Sequence, residues 1–220
     1  MINNNQQQEF TIEQDLTKNS YTIYLKNKNR PLLLSFIKTG ILLGATISDQ
    51  YQSITFSATT VEPLLFASMG KSKKTKTKNK YETALHIFYY LSKQFKYLIE
   101  NQKKCFYQLK PENILMIDNS KFIYISNEDL LDIIDHKYLI IYKPFSKNQY
   151  DSPEIQELTT IPSTNITYKT IYYSLGIYIQ TFFFTQDKTQ DKTQDKGTKL
   201  FYALERSLQK DPNLRTLLFI

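Results

Sequence analysis

Residues 105–126 read CFYQLKPENILMIDNSKFIYIS. Two short β-prone runs, NILMI (113–117) and FIYIS (122–126), flank the polar group Asp118-Asn119-Ser120-Lys121, which predicts a hairpin. Immediately upstream, residues 81–102 place Ala84, Ile87, Phe88, Leu91, Phe95 and Leu98 at helical spacing, with Lys93, Lys96 and Glu100 off that stripe. Leu109-Lys110-Pro111-Glu112-Asn113-Ile114-Leu115 is therefore expected to be a connection that carries the chain out of a long amphipathic helix and into the hairpin.

Working outward, residues 1–20 are polar and rich in Asn and Gln, a composition predicting a disordered arm that buries too little apolar surface to offset its ordering entropy. Residues 21–70 hold four β-prone runs, at 21–25, 31–38, 41–47 and 53–61, which predict a small, mostly antiparallel sheet. Residues 71–80, KSKKTKTKNK, carry six lysines and no acid, and predict a basic loop. The remainder, 81–220, is expected to be mainly helical. Its hub is Thr167–Phe184, apolar nearly all round; the polar insertion 185–197 repeats Thr-Gln-Asp-Lys three times, and a short amphipathic helix starts at Leu200.

With 220 residues and 41% hydrophobic content, the chain can build one sizeable core. The single Cys105 excludes an internal disulfide, and Met1–Gln8 lacks the charged start and apolar core of a signal peptide. No apolar run approaches the about 20 residues of a membrane span. The expectation is an intracellular protein, cytoplasmic or nuclear, so Asn165-Ile166-Thr167 is read as a chance glycosylation pattern. Neither His86 nor His136 has a ligand partner at metal spacing, and no metal site is expected. Most of the net charge of +7 is local to Lys71, Lys73, Lys74, Lys76, Lys78 and Lys80, which could meet an acidic partner or a nucleic acid.

Leu109–Leu115 resembles the catalytic loop of eukaryotic-type protein kinases, His-Arg-Asp-Leu-x-x-x-Asn in fuller form. Four further echoes follow in the family's order. Asn127-Glu128-Asp129 stands where the family has Asp-Phe-Gly, Ser152-Pro153-Glu154 resembles Ala-Pro-Glu, Tyr173-Ser174-Leu175-Gly176 resembles the start of the central helix, and Lys210-Asp211-Pro212 with Arg215 resembles the closing signature. The likeness covers about residues 82–220. It implies an α+β, protein-kinase-like fold with a reduced N-terminal β-sheet lobe and a trimmed, mainly helical C-terminal lobe.

The same likeness marks what has changed. Where the family has the Asp that accepts the substrate proton stands Gln108, and where it has the Asp that holds Mg²⁺ stands Asn127; both are neutral amides. Phe106 and Tyr107 replace the preceding His and Arg, and no Gly-x-Gly-x-x-Gly occurs. Lys38 is the candidate for the phosphate-pairing strand lysine, while Lys110 and Asn113 survive in the loop. Glu154 and Arg215 match a buried structural ion pair, and Leu115 matches the apolar residue beneath the nucleotide base. The reading is a degenerate pseudokinase with no intact catalytic residue and no cofactor beyond weak ATP binding, serving as a scaffold or regulator for a protein partner. The aromatics Tyr138, Tyr142, Phe145 and Tyr150 are candidate anchors for that partner. Two alternatives stand beside it: an atypical ATP-dependent serine/threonine kinase using Lys38, Lys110, Asn113 and a relocated Asp129, and a binder of nucleic acid or an anionic surface through residues 71–80.

Overall fold

The computed structural model describes residues 9–64, 77–184 and 197–218. Strands β1 (Phe10–Asp15) and β2 (Ser20–Leu25) pair antiparallel from Phe10↔Leu25 to Asp15↔Ser20. The polar arm expected over 1–20 is thus a hairpin strand from residue 10 onward, and residues 1–8 lie outside the described residues. Composition misled here because β1 is an edge strand: Thr11 and Glu13 face outward while Phe10 is buried and Ile12 packs on the core. Asp15 ties the turn by accepting from the backbone N–H of Thr17 at 2.9 Å.

Residues 31–38, expected as a strand, form helix α1 (Arg30–Lys38). The cause is a helix start signal. Asn29 caps the helix by accepting from Leu32 N–H at 3.0 Å, and Pro31 occupies the first turn, where a missing N–H does no harm. Its own Leu32, Leu33 and Phe36 are buried. Of 41–47 only Thr46–Ile47 is a strand, β3, followed by β4 (Ser53–Ser57), and the sheet runs β1-β2-β4-β3.

β5 (Val61–Pro63) leaves this sheet to join β7 (Ile114–Ile117) and β8 (Lys121–Tyr124). Helix α2 (Thr77–Gln102) begins earlier than expected, so Thr77–Lys80 are helical where a loop was predicted, consistent with the good helix propensity of Lys. All six residues of its apolar stripe are buried, and the helix packs on α1, β8 and α4 (Thr170–Phe184).

The second half sets a further sheet beside its helices. Strands β6 (Lys104–Phe106), β9 (Leu130–Ile134), β10 (Tyr138–Ile141) and β11 (Ser163–Thr167) form a sheet in the order β11-β10-β9-β6. Asp135 and His136 turn the chain between β9 and β10 with φ of 51° and 56°, the left-handed region that Asp and His enter more readily than most residues. Helices α3 (Pro153–Gln156) and α5 (Lys199–Ser207) complete the molecule with α4, which buries Ile171, Leu175, Tyr178 and Ile179. Among the described residues no helix is long and apolar enough to cross a membrane.

Candidate functional site

The loop from Gln108 to Asn113 is held from below by aromatic packing. Phe106, Phe95 and Tyr124 meet edge to face, with ring centroids 4.7–6.1 Å apart. Gln94 of α2 locks the Tyr124 backbone on both sides, donating to its carbonyl at 2.7 Å and accepting from its N–H at 2.9 Å. The Tyr124 hydroxyl then accepts from Lys110 N–H at 3.1 Å and donates to the Gln108 carbonyl at 3.3 Å. Burial pushes that phenol well above its ordinary range, which keeps it a neutral donor. One 3-10 turn, Pro111–Asn113, delivers the chain to β7, where Ile125 N–H donates to the Asn113 carbonyl at 3.0 Å.

Gln108 is fully buried and its amide points into the protein. It donates to the Ser146 carbonyl and to Asp151 Oδ2, each at 3.0 Å. Asp151 also accepts from Asn148 N–H at 2.7 Å. Gln108 Oε1 and Asp151 Oδ1 are buried and find no donor among the described residues. Burial raises the Asp151 carboxyl above the usual carboxylate range, although the Asn148 and Gln108 donors pull the other way. A carboxylate at this distance from the loop thus serves the amide of Gln108, and that amide has no basic lone pair with which to take a proton.

Lys110 reaches Asp129, with Nζ 3.0 Å from Oδ1 and 2.8 Å from Oδ2; Asp129 is only 1% exposed. Burial alone would pull the ammonium down, but the Asp129 carboxylate outweighs it and holds Lys110 above the ordinary lysine value. Asp129 therefore faces a cation and the Ser126 hydroxyl at 2.9 Å. Asn113, also buried, braces the turn through its main chain, its N–H donating to the Lys110 carbonyl at 2.9 Å.

Asn127 is engaged by the segment between β2 and α1. Its Nδ2 donates to the Asn27 carbonyl and its Oδ1 accepts from Asn29 Nδ2, both at 2.9 Å. A second tie comes from Glu9, which accepts from Asn127 N–H at 2.6 Å and from Glu128 N–H at 3.2 Å. Sequence reasoning missed Glu9. It stands in a polar stretch with no local pattern, and only the fold brings it beside residues 126–128.

Lys38 does not belong to this cluster. It ends α1 instead of lying on a strand, and it lines a shallow hollow with Tyr89, Lys93, Lys96, Tyr97 and Glu100 of α2. Leu115 is fully buried in β7, paired with Ile123 and Pro63. Glu154 and Arg215, 61 positions apart, form a two-pronged ion pair, with Arg215 Nη2 to Glu154 Oε2 at 2.9 Å. The guanidinium is fully buried, donates also to the carbonyls of Gln209 (2.7 Å) and Lys210 (3.0 Å), and lies over the Tyr173 ring at 5.0 Å. Of the four candidate anchors, Phe145 packs edge to face on Tyr107 and Tyr150 on Tyr178, so both serve the core; Tyr138 is partly buried, and Tyr142 is 68% exposed.

Lys71, Lys73, Lys74 and Lys76 of the basic run, and the repeat over 185–196, lie outside the described residues; Lys78 is helical and Lys80 is partly buried at the start of α2. Among the described residues no group of three or more His, Cys, Asp or Glu side chains is placed to hold a metal ion. No protein-family model matches the chain, and no curated protein is significantly similar to it in sequence.

Proposed function

We propose that this chain is a protein-kinase-like domain without phosphotransfer activity, which works by binding a protein partner. The observation that carries the reading is the fate of the two amides. Gln108 and Asn127 stand at the positions of the family's two working carboxylates, and both are spent on internal hydrogen bonds. The arrangement of Lys110 supports it further, since its ammonium is neutralised by the buried Asp129. The ion pair of Glu154 and Arg215, by contrast, keeps the architectural part of the motif set. Groups that stabilise a transition state act together, so loss of several leaves little residual rate.

The test is phosphate transfer from radiolabelled ATP to the protein itself and to generic substrates, with melting temperatures measured in ATP with and without Mg²⁺. No incorporation and no magnesium-dependent stabilisation are expected, because a ligand that binds the folded state must raise its apparent stability. Restoring the acids in Gln108→Asp with Asn127→Asp is expected to fail too. An Asp at 127 has no N–H to give the Asn27 carbonyl and would set two oxygens against each other. Magnesium-dependent autophosphorylation that disappears in Lys110→Ala would overturn the proposal in favour of an active kinase.

A further inference from the structure

Glu9 precedes β1, yet its carboxylate reaches residues 117 to 119 positions further along the chain. One oxygen, Oε2, accepts from two successive backbone N–H groups, Asn127 at 2.6 Å and Glu128 at 3.2 Å. Successive N–H groups turned toward one point make an anion-binding concavity. The Ser126 hydroxyl lies 3.2 Å from Oε1 and 3.1 Å from Oε2. Its single proton is contested, since Asp129 Oδ2 is 2.9 Å away. The firm donors are therefore the two main-chain N–H groups, which exist whatever side chains stand at 127 and 128.

The surroundings select the charge of the occupant. Lys110 is a nearby cation, but Asp129 is buried against it and already neutralises it. Without Glu9, the Asp129 and Glu128 carboxylates share the single positive charge of Lys110, and a dianionic phosphate would add two more negative charges to that net excess. A monoanion with two oxygens in one plane meets the same donors with half that repulsion. We propose that Ser126, Asn127 and Glu128 form a carboxylate-binding site, selective against phosphate, which the chain fills in cis with Glu9. The inference rests on the hydrogen-bond geometry and is independent of the family likeness. Together with Asn27 and Asn29, which hold the Asn127 side chain, Glu9 fastens the β1-β2-β4-β3 sheet to the segment after β8.

The experiment uses the full-length protein, its Glu9→Ala variant and NMR of the backbone amides of Asn127 and Glu128. Sodium acetate is titrated into each protein at constant ionic strength with sodium chloride, to about 100 mM because a tethered carboxylate acts at an effective concentration in the millimolar range or above. In Glu9→Ala both amide resonances are expected to shift saturably and the melting temperature to rise with acetate. The wild-type protein, its site already filled, should show neither, and sodium phosphate at matched ionic strength should leave the variant unmoved. Absence of a saturable acetate shift, an equal shift in wild type, or a stronger response to phosphate would each overturn the assignment. Should Glu9→Ala fail to fold, Glu9→Gln keeps the shape without the charge. Its Asn127 amide is expected to lose the downfield position that a short bond to a carboxylate confers, and an unchanged resonance would count against the site.

Discussion

Two residues define opposite ways of burying charge in this molecule. Arg215 is fully buried but well served, with a carboxylate, two carbonyls and an aromatic face around one guanidinium. Removing one side of such a pair leaves the other uncompensated, so Arg215→Ala is expected to destabilise the fold by about 3–5 kcal/mol. That corresponds to a fall of roughly 6–20 °C in melting temperature for a chain of this size. Glu154→Gln, which keeps the shape and one acceptor, should lose less, and calorimetry of the two variants and their combination will give the coupling directly. Asp151 is the contrary case, because one of its oxygens has no donor among the described residues and burial raises its carboxyl. The sign follows from proton binding. With a native value above the unfolded one of about 3.9, the folded state holds the proton more tightly, so ionised Asp151 lowers stability at neutral pH. That penalty is relieved as pH falls through the raised native value and is gone below the unfolded one. Asp151→Asn should therefore lack this acid-side gain while keeping, through its carbonyl, an acceptor for Asn148 and Gln108. Melting curves at pH 4–7 check it, and an unchanged pH dependence in the variant would refute the assignment.

At the scale of elements, the crossing of α4 and α5 turns on one glycine. A Cβ on Gly176 would stand 2.4 Å from Ser207 Oγ and 3.1 Å from the Leu208 side chain. Ser207 is fully buried and bonded to the Leu204 carbonyl, so it has little room to yield. Alanine is the better helix former by about 1 kcal/mol, but overpacking at a helix contact costs about 1–3 kcal/mol. Gly176→Ala is thus expected to lower stability in chemical denaturation, and adding Ser207→Gly should recover part of the loss. Two of the elements that the sequence misassigned have local causes. Residues 31–38 form a short apolar run that can pass for a strand, yet Asn29 and Pro31 together are a helix start, and local capping outweighs β propensity over so short a run. Residues 10–15 look like an arm only because an edge strand shows polar side chains on its open face.

Over the whole molecule, the strand sheet and the remainder are joined at the very segment the motifs singled out. Glu9, Asn27 and Asn29 all converge on residues 126–128, where a neutral Asn127 can both give and receive a hydrogen bond. What the chain order alone determined was the helix over 81–102, its buried stripe and the hairpin at 113–126, while the pairing of residues 154 and 215 was implied by the resemblance to a known family. Each of these rests on a periodicity, a turn or a motif that survives in one dimension. Only the tertiary structure decided that Gln108 turns inward to Asp151, that Asp129 is spent on Lys110, that Lys38 lies on a helix apart from both, and that Glu9 fills the concavity at 126–128. The place of Lys38 follows from the helix start at Asn29, and the other three share one physical reason: a polar group takes the nearest partner able to satisfy it, and which partner is nearest depends on how distant segments pack.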